Sequence, residues 1–153
     1  MMKWSIKTFD ELSNSELYEI CKSRYEVFAC EQKIYQENDF DGLDKDVYHL
    51  FLEDEGKIVA YTRIIPAGMT YDEATFGRVL VLKEYRRRGI AKELVERAID
   101  FIINELKKET VVISAQLYVK SLYELVGFKV ISDTYSEVDI PHVKMKFKKE
   151  ISN

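Results

Sequence analysis

Cysteine, proline and histidine are scarce in this 153-residue chain, with two of each, and there is a single tryptophan. Cys21 and Cys30 cannot make a disulfide framework and suit reduced, cytosolic thiols. His49 and His142 lie far apart, and no metal-ligand spacing is present. With only six glycines, the chain contains no linker, internal repeat or low-complexity segment. No apolar run approaches the roughly 20 residues a membrane-spanning helix needs. The N-terminal MMKWSIKTFDEL lacks the apolar core of a signal peptide, so a cytoplasmic location is expected. A formal net charge of -4 argues against general nucleic-acid binding.

What is present is an apolar content of 46%, including 12% aromatic residues, which argues against disorder. On length a single domain over 1–153 is expected, burying roughly 68–70% of its unfolded surface.

The most informative stretch runs from Ala74 to Leu106, ATFGRVLVLKEYRRRGIAKELVERAIDFIINEL. A β-type run, Phe76 to Leu82, is followed by a basic loop, Lys83 to Arg88. Gly89 then opens an amphipathic helix, with Ala91, Leu94, Val95, Ala98, Ile102 and Leu106 on one face. The first turn of a helix leaves backbone N–H groups unpaired and carries about half a positive charge. A glycine permits close approach to that backbone, and Arg86, Arg87 and Arg88 add full charge. The combination suits a phosphate. Composition alone leaves equally open a solvated loop whose glycine serves tight packing.

Elsewhere the pattern predicts a strand at Trp4 to Thr8. Ser13-x-x-Glu16 reads as a capping box for a helix to about Ala29, with Leu17, Ile20, Cys21 and Phe28 on its apolar stripe. Arg24 falls on that stripe, and a buried guanidinium needs a partner, either Glu31 or the acidic run that follows. Glu31 to Asp46 is irregular and acidic: a solvated loop, or one wall of a site that attracts a cationic amine. A hairpin follows, Val47 to Glu53 and Lys57 to Ile65, turning at Asp54-Glu55-Gly56. His49 and Arg63 are polar residues on its apolar strands. Gly77 marks a bulge. Val111 to Ala115 reads as a strand buried on both faces. A helix over Tyr118 to Val126 stops at Gly127, and two strands follow, Phe128 to Ser132 and about Val143 to Lys148. The segment Tyr135 to His142 lies between them.

Arg86-x-x-Gly89-x-Ala91, followed after the 111–115 strand by Tyr123-x-x-x-Gly127-Phe128, resembles the paired signatures of the GNAT superfamily of N-acetyltransferases. Arg24-x-x-Val27-Phe28-x-x-Glu31-Gln32, Asp41 to Asp44 before His49-Leu50, Ala115-Gln116 and Ile140-Pro141-His142 are similar to its ElaA-like branch, whose acceptor is not established. One position departs: Leu117, beside Gln116, stands where many members carry asparagine.

The resemblance implies an α/β fold with a mixed, mostly antiparallel sheet of six to seven strands, flanked by helices, in which strands four and five run parallel and splay. It implies acetyl-CoA as co-substrate, no metal, and transfer to a small-molecule or peptide amine through a tetrahedral intermediate. The cofactor would meet Val79, Leu80, Val81, Arg86, Arg87, Arg88, Gly89, Ile90, Ala91 and Gln116. Pantetheine would pair with the strand-four backbone, and an amide near Val81 would hold the oxyanion. Tyr123 would protonate the thiolate. Deprotonating a lysine-like amine at pH 7 costs roughly 4–5 kcal/mol, so a base is needed. Glu31 is the first choice, and His49 and His142 are the alternatives. Arg24, Gln32, His49, Arg63 and His142 would face the acceptor. The resemblance leaves room for a homodimer. A CoA-binding sensor without chemistry is the competing class. A weaker resemblance is to acyl-homoserine-lactone synthases, which use an acyl carrier and S-adenosylmethionine.

Overall fold

The computed structural model describes residues 1–150. Two antiparallel sheets make up its strand content. The first has the order β1 (Met2–Thr8), β2 (Tyr48–Asp54), β3 (Lys57–Ile65), β4 (Thr75–Val81). The second joins β5 (Thr110–Gln116) to β8 (Ile140–Lys148), with β6 (Lys129–Val130) and β7 (Tyr135–Glu137) both on β8. The sheets touch through one parallel bridge, Ala74 to Val111, where the Val112 N–H donates to the Ala74 carbonyl at 3.1 Å. Beyond it β4 and β5 part. The expected parallel splay is therefore present, with eight strands rather than six or seven.

Helix α1 (Asn14–Arg24) begins as the capping box requires. Ser13 Oγ accepts the Glu16 N–H at 3.0 Å, and the Glu16 carboxylate accepts the Ser13 N–H at 2.8 Å. The α pattern ends at Arg24, not Ala29. Tyr25–Glu31 winds on as a π-helical turn, closed by Gln32 N–H to the Val27 carbonyl at 2.8 Å. The wider turn carries Val27 into the core while leaving Glu31 at the surface.

Helix α2 (Ile90–Asp100) packs on β2, β3 and β4, burying Leu94, Val95, Ala98 and Ile99, and continues as a π turn, Phe101–Glu105. The expected helix at 118–126 shortens to a 3₁₀ turn, Leu117–Val119, and α3 (Lys120–Leu125). Its end is closed by two nested bonds: Gly127 N–H to the Glu124 carbonyl at 3.1 Å and Phe128 N–H to the Tyr123 carbonyl at 3.0 Å. That closure requires the left-handed φ of 109° at Gly127. It also brings the Phe128 and Tyr123 rings to 5.8 Å, edge to face.

Two further expectations change. The strand expected at 128–132 shrinks to Lys129–Val130, because Lys144 N–H bonds the Ser132 side chain at 2.9 Å instead of a backbone carbonyl. The segment 135–142 contains a hairpin, with Val138 (φ 47°) and Asp139 (φ 62°) as a two-residue left-handed turn.

Candidate functional site

The site begins at the irregularity in β4. Tyr61 pairs with Leu80 and Arg63 with Gly77, so Thr62 alone faces Arg78 and Val79. The bulge sits one residue beyond Gly77. Its left-handed residue is Arg78, at φ 54°, while the Gly77 carbonyl accepts the Thr62 hydroxyl at 2.7 Å.

Downstream, Leu82 N–H donates to the Val59 carbonyl at 2.9 Å. By strand alternation Leu80 then faces β3 with its backbone, and Val81 faces the gap toward β5. Arg86 Nε caps the Val81 carbonyl at 2.8 Å. The Val81 N–H is left pointing into the splay.

The chain then turns through Lys83–Tyr85 and passes two left-handed residues, Arg87 (φ 64°) and Gly89 (φ 77°). Gly89 caps α2 without any side-chain hydrogen bond. The first helical bond is Glu93 N–H to the Gly89 carbonyl, at 3.2 Å. The amides of Ile90, Ala91 and Lys92 have no intrahelical partner. A Cβ at Gly89 would meet no neighbour, so the backbone conformation is what calls for glycine there.

The three arginines do not act alike. Arg86 spends its Nη atoms on Glu31, at 2.5 and 2.8 Å. Arg88 bonds the Glu84 carbonyl at 3.1 Å and lies over the Tyr85 ring. The Arg87 side chain has no partner among the described residues. Of the three guanidinium groups expected at one anion, Arg86 is the one already engaged by a carboxylate.

A cavity of about 1350 Å³ opens at the splay, bounded by α1, its π turn, residues 32–43, β4, β5, α3 and the β7–β8 hairpin. Tyr123 lines it and is buried, with Phe76 and Phe128 against its ring. Among the described residues only Arg63 Nε is a fully enclosed side-chain atom without a partner. The unpartnered Tyr123 hydroxyl therefore reaches the cavity space. Burial raises its pKa above the ordinary phenol value, so it keeps its proton.

Val79, Leu80, Val81, Ala91, Gln116, Gln32, Arg24, Arg63 and His142 also line the cavity. Gln116 Nε2 donates to Gln32 Oε1 at 3.1 Å across its rim. Glu31 lies outside it, half-exposed, and the hydrogen bonds from Arg86 hold its carboxyl below the usual range.

His49 is fully buried away from the cavity. Its Nε2–H donates to the Asp44 carbonyl at 2.8 Å, and Nδ1 accepts from the Tyr61 hydroxyl at 2.7 Å. Both nitrogens are satisfied and burial lowers its pKa, so it is a core residue rather than an acceptor contact. Arg24, also expected on the acceptor side, is 1% exposed and tied to Asp39 and Asp44, not to Glu31.

Both nitrogens of His142 have a neighbour. Nδ1–H donates to the Ile140 carbonyl at 2.7 Å, while Nε2 lies 3.4 Å from Glu137 Oε2. The residues that sequence reading passed over are Arg78, Ser114 and Glu137, which line the same cavity. Among the described residues no group of histidine, cysteine and carboxylates could hold a metal, and no helix is long and apolar enough to cross a membrane.

The family model for the acetyltransferase (GNAT) domain matches residues 7–149. The chain is 38% identical to the UPF0039 protein C11D3.02c of Schizosaccharomyces pombe over 148 residues, 95% of this chain and 96% of that one. It is 30% identical to the protein ElaA of Escherichia coli, over 95% of each chain. The crystal structure of ElaA superposes with a TM-score of 0.89, covering 97% of this chain and 100% of that one at 28% identity. That of an acyl-CoA N-acyltransferase from Pseudomonas aeruginosa superposes with a TM-score of 0.88, over 96% and 99% at 32% identity. With its parted parallel strands and an open helix start following β4, the chain belongs to the GNAT acetyltransferases and is ElaA-like.

Proposed function

We propose that this protein transfers an acetyl group from acetyl-CoA to a primary amine by direct attack. The observation that carries the reading is the continuity of two open features. The Val81 N–H faces the splay, and a few residues on the unbonded amides of α2 begin. An amide-bearing arm ending in a diphosphate matches that run of donors. Acetyl-CoA supplies the activated thioester carbonyl.

The chain's own groups then divide the work. Arg87, Arg88 and the α2 amides hold the anionic end, and Arg86 fixes the exit of β4 by capping Val81. An amide on the open edge, at Val79 or Val81, donates to the carbonyl oxygen as charge develops there. His142 Nε2 takes the proton from the amine, while its Nδ1–H stays on Ile140 and fixes the tautomer. Tyr123 donates its hydroxyl proton to the departing thiolate. Glu31 is a positioning residue, because its carboxylate is held by Arg86.

Incubation with acetyl-CoA and a panel of primary amines, following free thiol, tests the proposal. Thiol release coupled to N-acetylation is expected. Tight CoA binding without turnover of any amine would instead favour a CoA-responsive binding module, to which the engagement of Glu31 by Arg86 lends some support.

A further inference from the structure

We infer that the acceptor of this cavity is an amine that also carries a carboxylate, an amino acid or a near relative, and that Arg78 receives the carboxylate. The inference rests on the acetyl-transfer reading of the same cavity.

Three carboxylates of the acidic loop are already paired and form no free negative wall, so that Glu37 and Glu137 are the remaining acidic side chains lining the cavity. Asp39 bonds Arg24 Nε at 2.9 Å and Arg78 Nε at 2.8 Å. Asp41 takes both Nη atoms of Arg63, at 2.9 and 2.5 Å. Asp44 bonds Arg24 Nη1 at 2.7 Å and Arg63 Nη1 at 3.3 Å. These three carboxylates are matched by three guanidinium groups, which leaves no net charge in the cluster.

Donors, however, are in excess, since each guanidinium carries five N–H groups. Arg63 Nε has no partner at all. Arg78 spends only Nε well. Its Nη2 makes long contacts of 3.5 Å to the Asp39 carbonyl and 3.5 Å to Asp41, and its Nη1 makes none among the described residues. The side chain is partly exposed and lines the cavity.

Anchored at Nε, this guanidinium presents its two Nη groups as an end-on fork, the geometry that fits a carboxylate. Arg78 also occupies a backbone region that costs energy for a residue with a Cβ, at φ 54° in the bulge. It stands next to Val79 on the open edge of β4. A carboxylate held there suits an acceptor whose amine lies a few bonds away, as in an α-amino acid.

The test compares amino acids with their decarboxylated amines, such as phenylalanine with phenethylamine and methionine with 3-(methylthio)propylamine. The same pairs, as N-acetylated products, are titrated calorimetrically into CoA-loaded protein. The carboxylated member is expected to have a kcat/KM about tenfold higher or more. In Arg78→Gln, with its fold checked by thermal melt, that ratio should fall to about one, and Arg78→Lys should restore part of it. A ratio of one or less in the parent, or an equal loss for both members in Arg78→Gln, overturns the inference. Product binding that depends on Arg78 without any turnover would keep the subsite and reject acetyl transfer. Turnover with no preference for the acid, in rate or in binding, would do the reverse.

Discussion

Glu31 and Arg86, 55 residues apart, face each other through two parallel bonds, Nη1 to Oε2 at 2.5 Å and Nη2 to Oε1 at 2.8 Å. The pair joins the end of the π turn after α1 to the loop that opens α2. Arg86 is at the same time bonded to Val81 on β4, so one guanidinium ties three segments around the splay.

A consequence concerns the base. A carboxylate held by an arginine and kept below its ordinary pKa is a weak proton acceptor. Glu31→Gln should change the KM for acetyl-CoA severalfold while leaving kcat nearly unchanged. His142→Ala should lose activity by about a hundredfold, and its residual rate should rise with pH as the free amine form accumulates. Steady-state kinetics between pH 6 and 9 separates the two. The Glu31 pair is largely exposed, so its loss should cost less than about 1 kcal/mol of stability.

Tyr123→Phe removes only the hydroxyl from a ring fixed by Phe76, Phe128 and the closure at Gly127. The kcat should fall roughly a hundredfold, with KM for acetyl-CoA and melting temperature nearly unchanged. Because burial raises the phenol pKa, the parent should show no loss of activity from Tyr123 ionisation up to about pH 10.

Stability should fall with acid in two stages. His49 is held neutral by burial, with its folded pKa below 6.5. Its contribution is complete above that value and declines as pH drops through it. Asp41 is held ionised by its hydrogen bonds from Arg63, below 3.8, so its contribution persists to lower pH and is lost beneath that value. Asp41→Asn leaves a buried guanidinium short of a partner and should destabilise by roughly 3 kcal/mol. Denaturant melts from pH 8 to pH 2 should show a flattened slope below about pH 4 in that variant.

Much of this architecture was legible in the residues. The Ser13–Glu16 box, the turn at Glu55-Gly56 and the Gly89 helix start are local chemistry, and local chemistry leaves a local pattern. Gly77 pointed to the bulge within one residue. The π turns at Tyr25–Glu31 and Phe101–Glu105 were not legible, because a 3.6-residue period cannot announce its own widening. The hairpin at Val138-Asp139 was missed because Val138, a β-branched residue, is not a usual left-handed turn former and no glycine marks the turn. The partners of Arg24, Glu31 and Arg78 were hidden for another reason: a loop and two sheets bring together charges that sequence distance keeps apart.

Gly89→Val forces a β-branched residue into a left-handed conformation at φ 77°. It should cost roughly 2 kcal/mol and weaken CoA binding about tenfold, by disturbing the first amides of α2. Calorimetric titration with CoA checks both parts when combined with a melt.

Acetyl transfer as proposed requires the open edge of β4 and the open start of α2 to receive one ligand. Amide hydrogen exchange with and without CoA measures this directly. The expected result is slowed exchange at Val79, Val81, Ile90 and Ala91, with β1 and β2 unaffected. Unchanged exchange at those amides under saturating CoA, or protection confined to another face, would contradict it.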